Sequence, residues 1–80
     1  MVVKVYSTKV CPWCVRAKDF LKEKKVPFEN VFVDEDAKAR NEMFEKTGQL
    51  GVPVVEIGDT LLVGYNVQAM TDALKKANLL

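Results

Sequence analysis

One short stretch, "VYSTKVCPWCVRAKDF" (residues 5–20), decides both the fold and the chemistry of this chain. It holds the two cysteines of the sequence, Cys11 and Cys14, separated by a proline and a tryptophan. The apolar, β-branched run Val2–Tyr6 predicts a strand. Pro12 suits the first turn of a helix, where its missing N–H costs no hydrogen bond. We therefore expect Cys11 to lie between the end of a strand and the start of a helix.

The rest of the chain continues the alternation of strands and helices. Apolar residues at helical spacing predict helix 1 over residues 12–25, and Pro27 ends it. The same analysis predicts strand 2 over Phe28–Val33, helix 2 from residues 34–36 to about Thr47, strand 3 over Pro53–Ile57, strand 4 over Thr60–Val63 and helix 3 over Val67–Ala77. Gly48 is a plausible left-handed residue after helix 2. We expect Met43 and Phe44 to point into the core.

The predicted order, β-α-β-α-β-β-α, defines an α/β protein. The first β-α-β unit should be parallel and right-handed. The turn signal Gly58-Asp59 predicts a hairpin of strands 3 and 4. We therefore expect a four-stranded mixed sheet flanked by three helices. A length of 80 residues, with 49% of them apolar, favours a single domain over residues 1–80.

The overall charge limits the classes of partner. Twelve Lys and Arg against eleven Asp and Glu give a net charge of +1, which argues against general nucleic-acid or membrane-surface binding. No apolar run approaches the length of a membrane span, and no signal peptide is visible. We expect a cytoplasmic protein. In that compartment paired cysteines are more often catalytic or metal-binding than structural.

Four interpretations of the cysteine pair compete. A structural disulfide would close so small a loop that its entropic gain is minor. A zinc site needs four ligands; the chain has no His and no further Cys, so zinc would have to be shared between chains. Two ordinary buried thiols are a third interpretation. A reactive pair is favoured by the strand before and the helix after it.

The two cysteines should differ in role if the pair is reactive. A helix N-terminus presents unpaired N–H groups and the positive end of the helix dipole, which favour a thiolate. Cys11 is thus the expected nucleophile. Cys14, one turn later and more buried, is suited to resolving a mixed disulfide.

Two longer motifs carry a family resemblance. "CPWCVRAKDFL" (residues 11–21), followed by "TGQLGVPVVEIGD" (residues 47–59), resembles the glutaredoxins of the thioredoxin-fold superfamily over almost the whole chain. The resemblance implies a thioredoxin fold, a cis bond between Val52 and Pro53, and a Val52 main chain beside Cys11. It also implies reduction of protein disulfides and glutathione mixed disulfides, with glutathione as reducing co-substrate and no bound cofactor or metal. We expect a monomer whose partners are glutathione and disulfide-bonded or glutathionylated proteins.

The resemblance also implies a set of glutathione contacts. They fall on Lys9, Trp13, Gln49, Val52, Pro53, Gly64, Tyr65 and Asn66. The basic residue that the family places three positions before the nucleophile is Thr8 here, and we expect Lys9 to replace it. Gln49 matches a position that contacts the glycine carboxylate of glutathione. The family's Asp after strand 4 is Val67 here, so Asn66 would hold the glutamyl end by neutral hydrogen bonds, which are weaker than charge-assisted ones.

Two alternatives for the function stay open. Gly64-Tyr65-Asn66 resembles the glutaredoxin-like redoxins that take electrons from thioredoxin reductase and serve as hydrogen donors, for example to ribonucleotide reductase. A non-enzymatic alternative is a dimer in which two Cys11 thiolates and glutathione hold an iron–sulfur cluster, which Pro12 disfavours by family resemblance. For Tyr65 two placements are open, over helix 3 or at the rim of the cleft.

Overall fold

The computed structural model describes residues 3–80; Val2, predicted to belong to strand 1, lies outside the described residues. The elements are β1 (Val3–Ser7), α1 (Pro12–Glu23), β2 (Glu29–Phe32), α2 (Ala37–Thr47), β3 (Val54–Ile57), β4 (Thr60–Val63) and α3 (Val67–Lys76). All seven elements occur in the predicted order. Their ends lie within two residues of the predicted ones, apart from the start of α2 discussed below.

The four strands form one mixed sheet in the order β2-β1-β3-β4. β1 pairs with β2 in parallel, with Ser7 beside Phe32, and with β3 antiparallel, with Tyr6 beside Val54. β3 and β4 form the predicted antiparallel hairpin, and Gly58 in its turn has a φ of 59°. The predicted α/β class, a four-stranded mixed sheet with three helices, is confirmed.

The ends of the helices are set by local hydrogen bonds. α1 ends two residues earlier than predicted because Lys25 takes a left-handed φ of 58° and the Val26 N–H turns back to the Leu21 carbonyl at 2.9 Å. α2 starts after Asp36, whose Oδ1 accepts a hydrogen bond from the Ala39 N–H at 3.1 Å. Such N-caps satisfy amides that the first helical turn leaves unpaired.

The C-terminal end of α2 follows the glycine rule. Gly48 has a φ of 72°, a conformation that favours glycine, and its N–H donates to the Phe44 carbonyl at 2.7 Å. The predicted position of Gly48 after helix 2 is confirmed.

Buried side chains form two clusters, and each cluster contains residues of different helices. One cluster combines α1 and α3 with Val5, Val55 and Ile57 of the sheet. The other combines α2 with Tyr6 and Val54. Because neighbouring residues of a strand point to opposite faces, α1 and α3 cover one face of the sheet and α2 covers the other.

The prediction for Phe44 is wrong. Met43 is fully buried, but the Phe44 side chain is 50% exposed. The buried residues of α2 are Ala39 and Met43, which are four positions apart and therefore share one face. Phe44 is one position further round the helix and projects away from that face.

Among residues 3–80, none of the helices has both the length and the apolar character needed to cross a membrane.

Candidate active site

Cys11 lies at the N-terminal end of α1 as its N-cap residue. Its backbone is extended, with φ −112° and ψ 105°. Its Sγ accepts a hydrogen bond from the Cys14 N–H at 3.2 Å, and its carbonyl accepts one from the Val15 N–H at 3.2 Å. The sulfur therefore lies at the positive end of the helix dipole, where backbone N–H groups stabilise negative charge. This is the position that the sequence predicts for Cys11.

Cys14 is fully buried one turn further along α1, whereas Cys11 is partly exposed. Both are free thiols. Burial, and after it the hydrogen bond with Cys11, raises the pKa of the Cys14 thiol to about 11. The main chain of Thr8 and the charge of Lys18 act in the opposite direction. The fold thus holds one accessible sulfur on a helix end and one protonated sulfur behind it.

An aromatic pair lies next to the cysteines. The Trp13 side chain is 53% exposed, and its ring centroid lies 5.8 Å from that of Tyr65 at a 30° tilt. The Arg16 guanidinium lies 4.9 Å from the centroid of the Trp13 ring, within the range of a cation–π contact. Tyr65 also packs against the α1–α3 core cluster. Tyr65 thus lies next to Trp13 and on the core cluster, and its role at the rim of the cleft remains a prediction.

The segment before β3 lies at the same edge of the sheet as Cys11. The Val52-Pro53 peptide bond is cis, as the resemblance implied. Gly64, with a φ of 89°, donates its N–H to the Pro53 carbonyl at 2.7 Å. Since Tyr6 of β1 pairs with Val54, Val52 extends past the end of β1, in the direction in which the chain continues to Cys11.

Lys9 is directed to the loop between β2 and α2. Its backbone N–H donates to Asp34 Oδ2 at 3.2 Å. Its ammonium forms an ion pair with Glu35, and this hydrogen bond and charge raise the pKa of Lys9. A contact between Lys9 and a glutathione carboxylate remains a prediction. In this conformation the Lys9 ammonium is already paired with the Glu35 carboxylate.

Gln49 and Asn66 are likewise engaged within the chain. The Gln49 amide donates to Thr47 Oγ1 at 3.3 Å and to the Gly51 carbonyl at 3.2 Å, and its oxygen accepts from the Gly51 N–H. Asn66 is the N-cap of α3, where its Oδ1 accepts from the Ala69 N–H at 3.0 Å. The glutathione contacts predicted for both residues remain predictions.

Asp34, Glu35 and Arg16 are neighbours of the site that the sequence reasoning did not assign to it. In the sequence, the acidic run at residues 34–36 indicates a helix start. A signal was available, because β1 and β2 are parallel neighbours and the residues that follow them leave the sheet at the same edge.

Within residues 3–80, no three His, Cys, Asp or Glu side chains converge as a metal site would require.

The fold and the site together define a class of protein. A cysteine pair at the junction of β1 and α1 and a cis-proline segment before β3 lie at the same edge of a four-stranded mixed sheet, which is covered by helices on both faces. This combination is that of a thiol–disulfide oxidoreductase with a thioredoxin fold.

Comparisons with known proteins identify the family. The glutaredoxin family model matches residues 3–62, and the chain belongs to the glutaredoxin family. A glutaredoxin-like 8.6 kDa protein in the rubredoxin operon of Clostridium pasteurianum is 40% identical over 75 residues, which cover 94% of this chain and 100% of that protein. Members of this family are thiol–disulfide oxidoreductases, and the chain is an enzyme of that class.

Two solved structures illustrate the range of the family. The glutaredoxin of Archaeoglobus fulgidus superposes with a TM-score of 0.85 and 31% identity, over 91% of this chain and 85% of that chain. NrdH-redoxin of Escherichia coli, a glutaredoxin-like protein with a thioredoxin-like activity profile, gives a TM-score of 0.80 and 25% identity, over 90% of this chain and 93% of that chain.

Proposed function

We propose that this chain reduces protein disulfides and glutathione mixed disulfides through Cys11 and Cys14. The observation that carries the proposal is the geometry of the pair. Cys11 Sγ accepts the Cys14 N–H at the end of α1, and the Cys14 thiol is buried behind it. An accessible nucleophile with a second thiol in reach, but shielded from substrate, is the arrangement that two-step disulfide exchange needs.

The first step is attack of the Cys11 thiolate on one sulfur of the substrate disulfide. A bond forms between Cys11 Sγ and that sulfur, the substrate disulfide breaks, and the other sulfur leaves as a thiolate that takes up a proton. The electron pair of Cys11 thus reduces the leaving sulfur and leaves a mixed disulfide on the enzyme. Negative charge at Cys11 is stabilised by the amides of the first turn of α1.

The mixed disulfide is cleared by one of two routes. In the monothiol route a glutathione thiolate attacks the substrate sulfur of the mixed disulfide, forms a new disulfide with it and releases the Cys11 thiolate. In the dithiol route Cys14 loses its proton and attacks Cys11 Sγ, which forms the Cys11–Cys14 disulfide and releases the second substrate thiol. The raised pKa of Cys14 makes its thiolate scarce near neutral pH. Loss of the Cys14 proton is therefore the demanding part of the dithiol route.

For the reductant we propose glutathione. Support comes from membership of the glutaredoxin family, from the Val52 main chain at the edge of the sheet that leads to Cys11, and from the exposed face of Trp13. Backbone pairing with an extended peptide-like ligand needs no charged side chain. The Lys9–Glu35 pair is solvent-exposed, with side chains 61% and 51% accessible. Such pairs contribute little stability, so a ligand carboxylate would displace Glu35 at low cost.

Reduction by thioredoxin reductase is the second candidate, which would make the chain a thioredoxin-like hydrogen donor. The observation that favours it is that Lys9, Gln49 and Asn66, three predicted glutathione contacts, all hydrogen-bond or ion-pair within the chain. The structural likeness to NrdH-redoxin supports it in the same way. In this alternative the exposed apolar side chains around Cys11 would contact a protein partner.

One coupled assay separates the two reductants. Oxidation of NADPH is followed with a disulfide substrate and the chain, once with glutathione plus glutathione reductase and once with thioredoxin reductase alone. Turnover in the first arm, absent in a Cys11→Ser variant, supports glutathione as reductant. Turnover confined to the second arm would reject it in favour of thioredoxin reductase. Absence of turnover in both arms would contradict the proposed reaction itself.

A further inference from the structure

The segments that follow β1 and β2 leave the sheet at the same edge and contact each other, and the first of them leads to Cys11. Ser7 at the end of β1 pairs with Phe32 at the end of β2. The segment after β1 then contacts the segment after β2, because the Lys9 N–H donates to Asp34 Oδ2 and the Lys9 ammonium pairs with Glu35. The Glu35 N–H in turn donates to the Phe32 carbonyl at 3.2 Å. This hydrogen bond fixes the backbone of Glu35 next to the end of β2.

This contact sets the balance of charge around Lys9. Lys9 is two residues before Cys11, and its positive charge is matched by Glu35. Asp34, bound to the backbone of the same residue, adds a negative charge. An anionic ligand that approaches Lys9 therefore has to displace one carboxylate and tolerate another, since like charges at short range repel.

We propose that Glu35, assisted by Asp34, is a specificity-determining residue that disfavours anionic thiols and disulfides at Cys11 by competing for Lys9. The inference rests on the proposed use of glutathione, which carries two carboxylates and one ammonium group at neutral pH. A glutathione carboxylate has to replace that of Glu35 on Lys9. Neutral and cationic disulfides do not need this exchange and keep their full reactivity.

The size of the effect follows from the exposure of the pair. With both side chains more than half accessible, water and salt screen the interaction. Removing the competitor should therefore change kcat/KM by only about two- to fivefold. The change should shrink at high ionic strength, because the screening length falls from about 10 Å at 0.1 M salt to about 3 Å at 1 M.

The test is a double-mutant cycle. Glu35→Gln keeps the size of the side chain and removes its charge, and it should raise kcat/KM for glutathione by about two- to fivefold. In a Lys9→Gln background the same substitution should have a clearly smaller effect, because there is no cation to compete for. Glu45→Gln, which removes an exposed charge within α2 and not in the loop that holds Glu35, is the matched control and should leave kcat/KM unchanged.

A second readout does not depend on glutathione. Reduced protein is mixed with the dianionic disulfide dithiobis-nitrobenzoate or with the cationic disulfide cystamine, and the rate at Cys11 is measured for each. Glu35→Gln should raise the anion-to-cation rate ratio in the presence of Lys9. If this ratio rises while no variant turns over with glutathione, the reductant proposed above fails and the role of Glu35 stands.

The inference itself is overturned by either of two results. One is an unchanged rate ratio together with an unchanged kcat/KM for glutathione in Glu35→Gln. The other is a change of equal size with and without Lys9, because that would be a general effect of net charge and not competition for this ammonium group.

Discussion

The N-terminal end of α1 and the loops that surround it differ in how they are held. Cys14 is buried, and the helix behind it is anchored by Ala17 and Leu21, which are also fully buried. The surrounding side chains of Lys9 and Asn66 are exposed and held by local hydrogen bonds or an exposed ion pair. The position of the two cysteines therefore depends on the packing of the core. Recognition depends on contacts that single substitutions can change without unfolding the chain.

The largest expected effect is the loss of the nucleophile. Cys11→Ser should lower the rate of disulfide reduction by about a thousandfold or more, as removal of a covalent nucleophile does in other enzymes. Reduction of a glutathione mixed disulfide measures it. Unfolding in urea should remain close to that of the parent protein. Retained activity would contradict the assignment of the chemistry to this end of α1.

The next prediction compares two leucines, one under the active-site helix and one in the loop before the cis proline. Leu21→Ala should lower the free energy of unfolding by about 2–5 kcal/mol, because it leaves a cavity in the core. Leu50, 55% exposed, should cost no more than about 0.5 kcal/mol on the same change. Urea denaturation of both variants measures the difference. Equal costs would mean that the loop is as integral to the fold as α1.

The third prediction concerns the pH dependence of the dithiol route. Burial, and not the charge of Cys11, is the largest cause of the raised Cys14 pKa of about 11, so we expect the pKa to stay raised in the mixed disulfide. The fraction of Cys14 thiolate, and with it the rate of attack on Cys11, should rise about tenfold per pH unit below that pKa. Single-turnover mixing with a preformed mixed disulfide measures this step. Cys14→Ser should lack it and keep the glutathione route. A rate that levels off near neutral pH would contradict the prediction.

The smallest expected effect tests whether Asn66 acts as a helix cap. Asn66→Ala should cost about 1 kcal/mol of stability, because the Ala69 N–H loses its acceptor. Asn66→Asp keeps an acceptor there and should retain the stability. Thermal unfolding measures both. If Asn66→Ala keeps full stability and loses only affinity for glutathione, the residue is a ligand contact and not primarily a cap.

The sequence predicts those parts of the molecule that depend on local chemistry or on the core. Pro12 after Cys11 located the start of α1, and Gly48 located the end of α2 through its left-handed backbone. Alternation and β-branching located the strands. These signals work because each is read from one residue or from a short periodic pattern. The order of elements then defined the sheet, and the family resemblance supplied the cis bond at Pro53.

The remaining features depend on distances that a linear pattern does not contain. Phe44 is apolar and adjacent to Met43, which predicts an inward position, yet Ala39 and Met43 define the face of α2 that is buried. The resemblance places Lys9 beside glutathione, which remains a prediction; its ion pair with Glu35, 26 residues further along the chain, is not visible in the linear pattern. Exposed polar side chains have several partners of similar energy, so three-dimensional proximity decides among them.

The fluorescence of Trp13 can report on the candidate active site. Trp13 is the chain's one tryptophan, it sits between the two cysteines in sequence, and it contacts Tyr65 and Arg16. All indole emission from the protein therefore originates at the reacting centre. Changes in the oxidation state of the sulfurs, or in what covers the ring, should therefore alter an emission to which no other indole of the chain contributes.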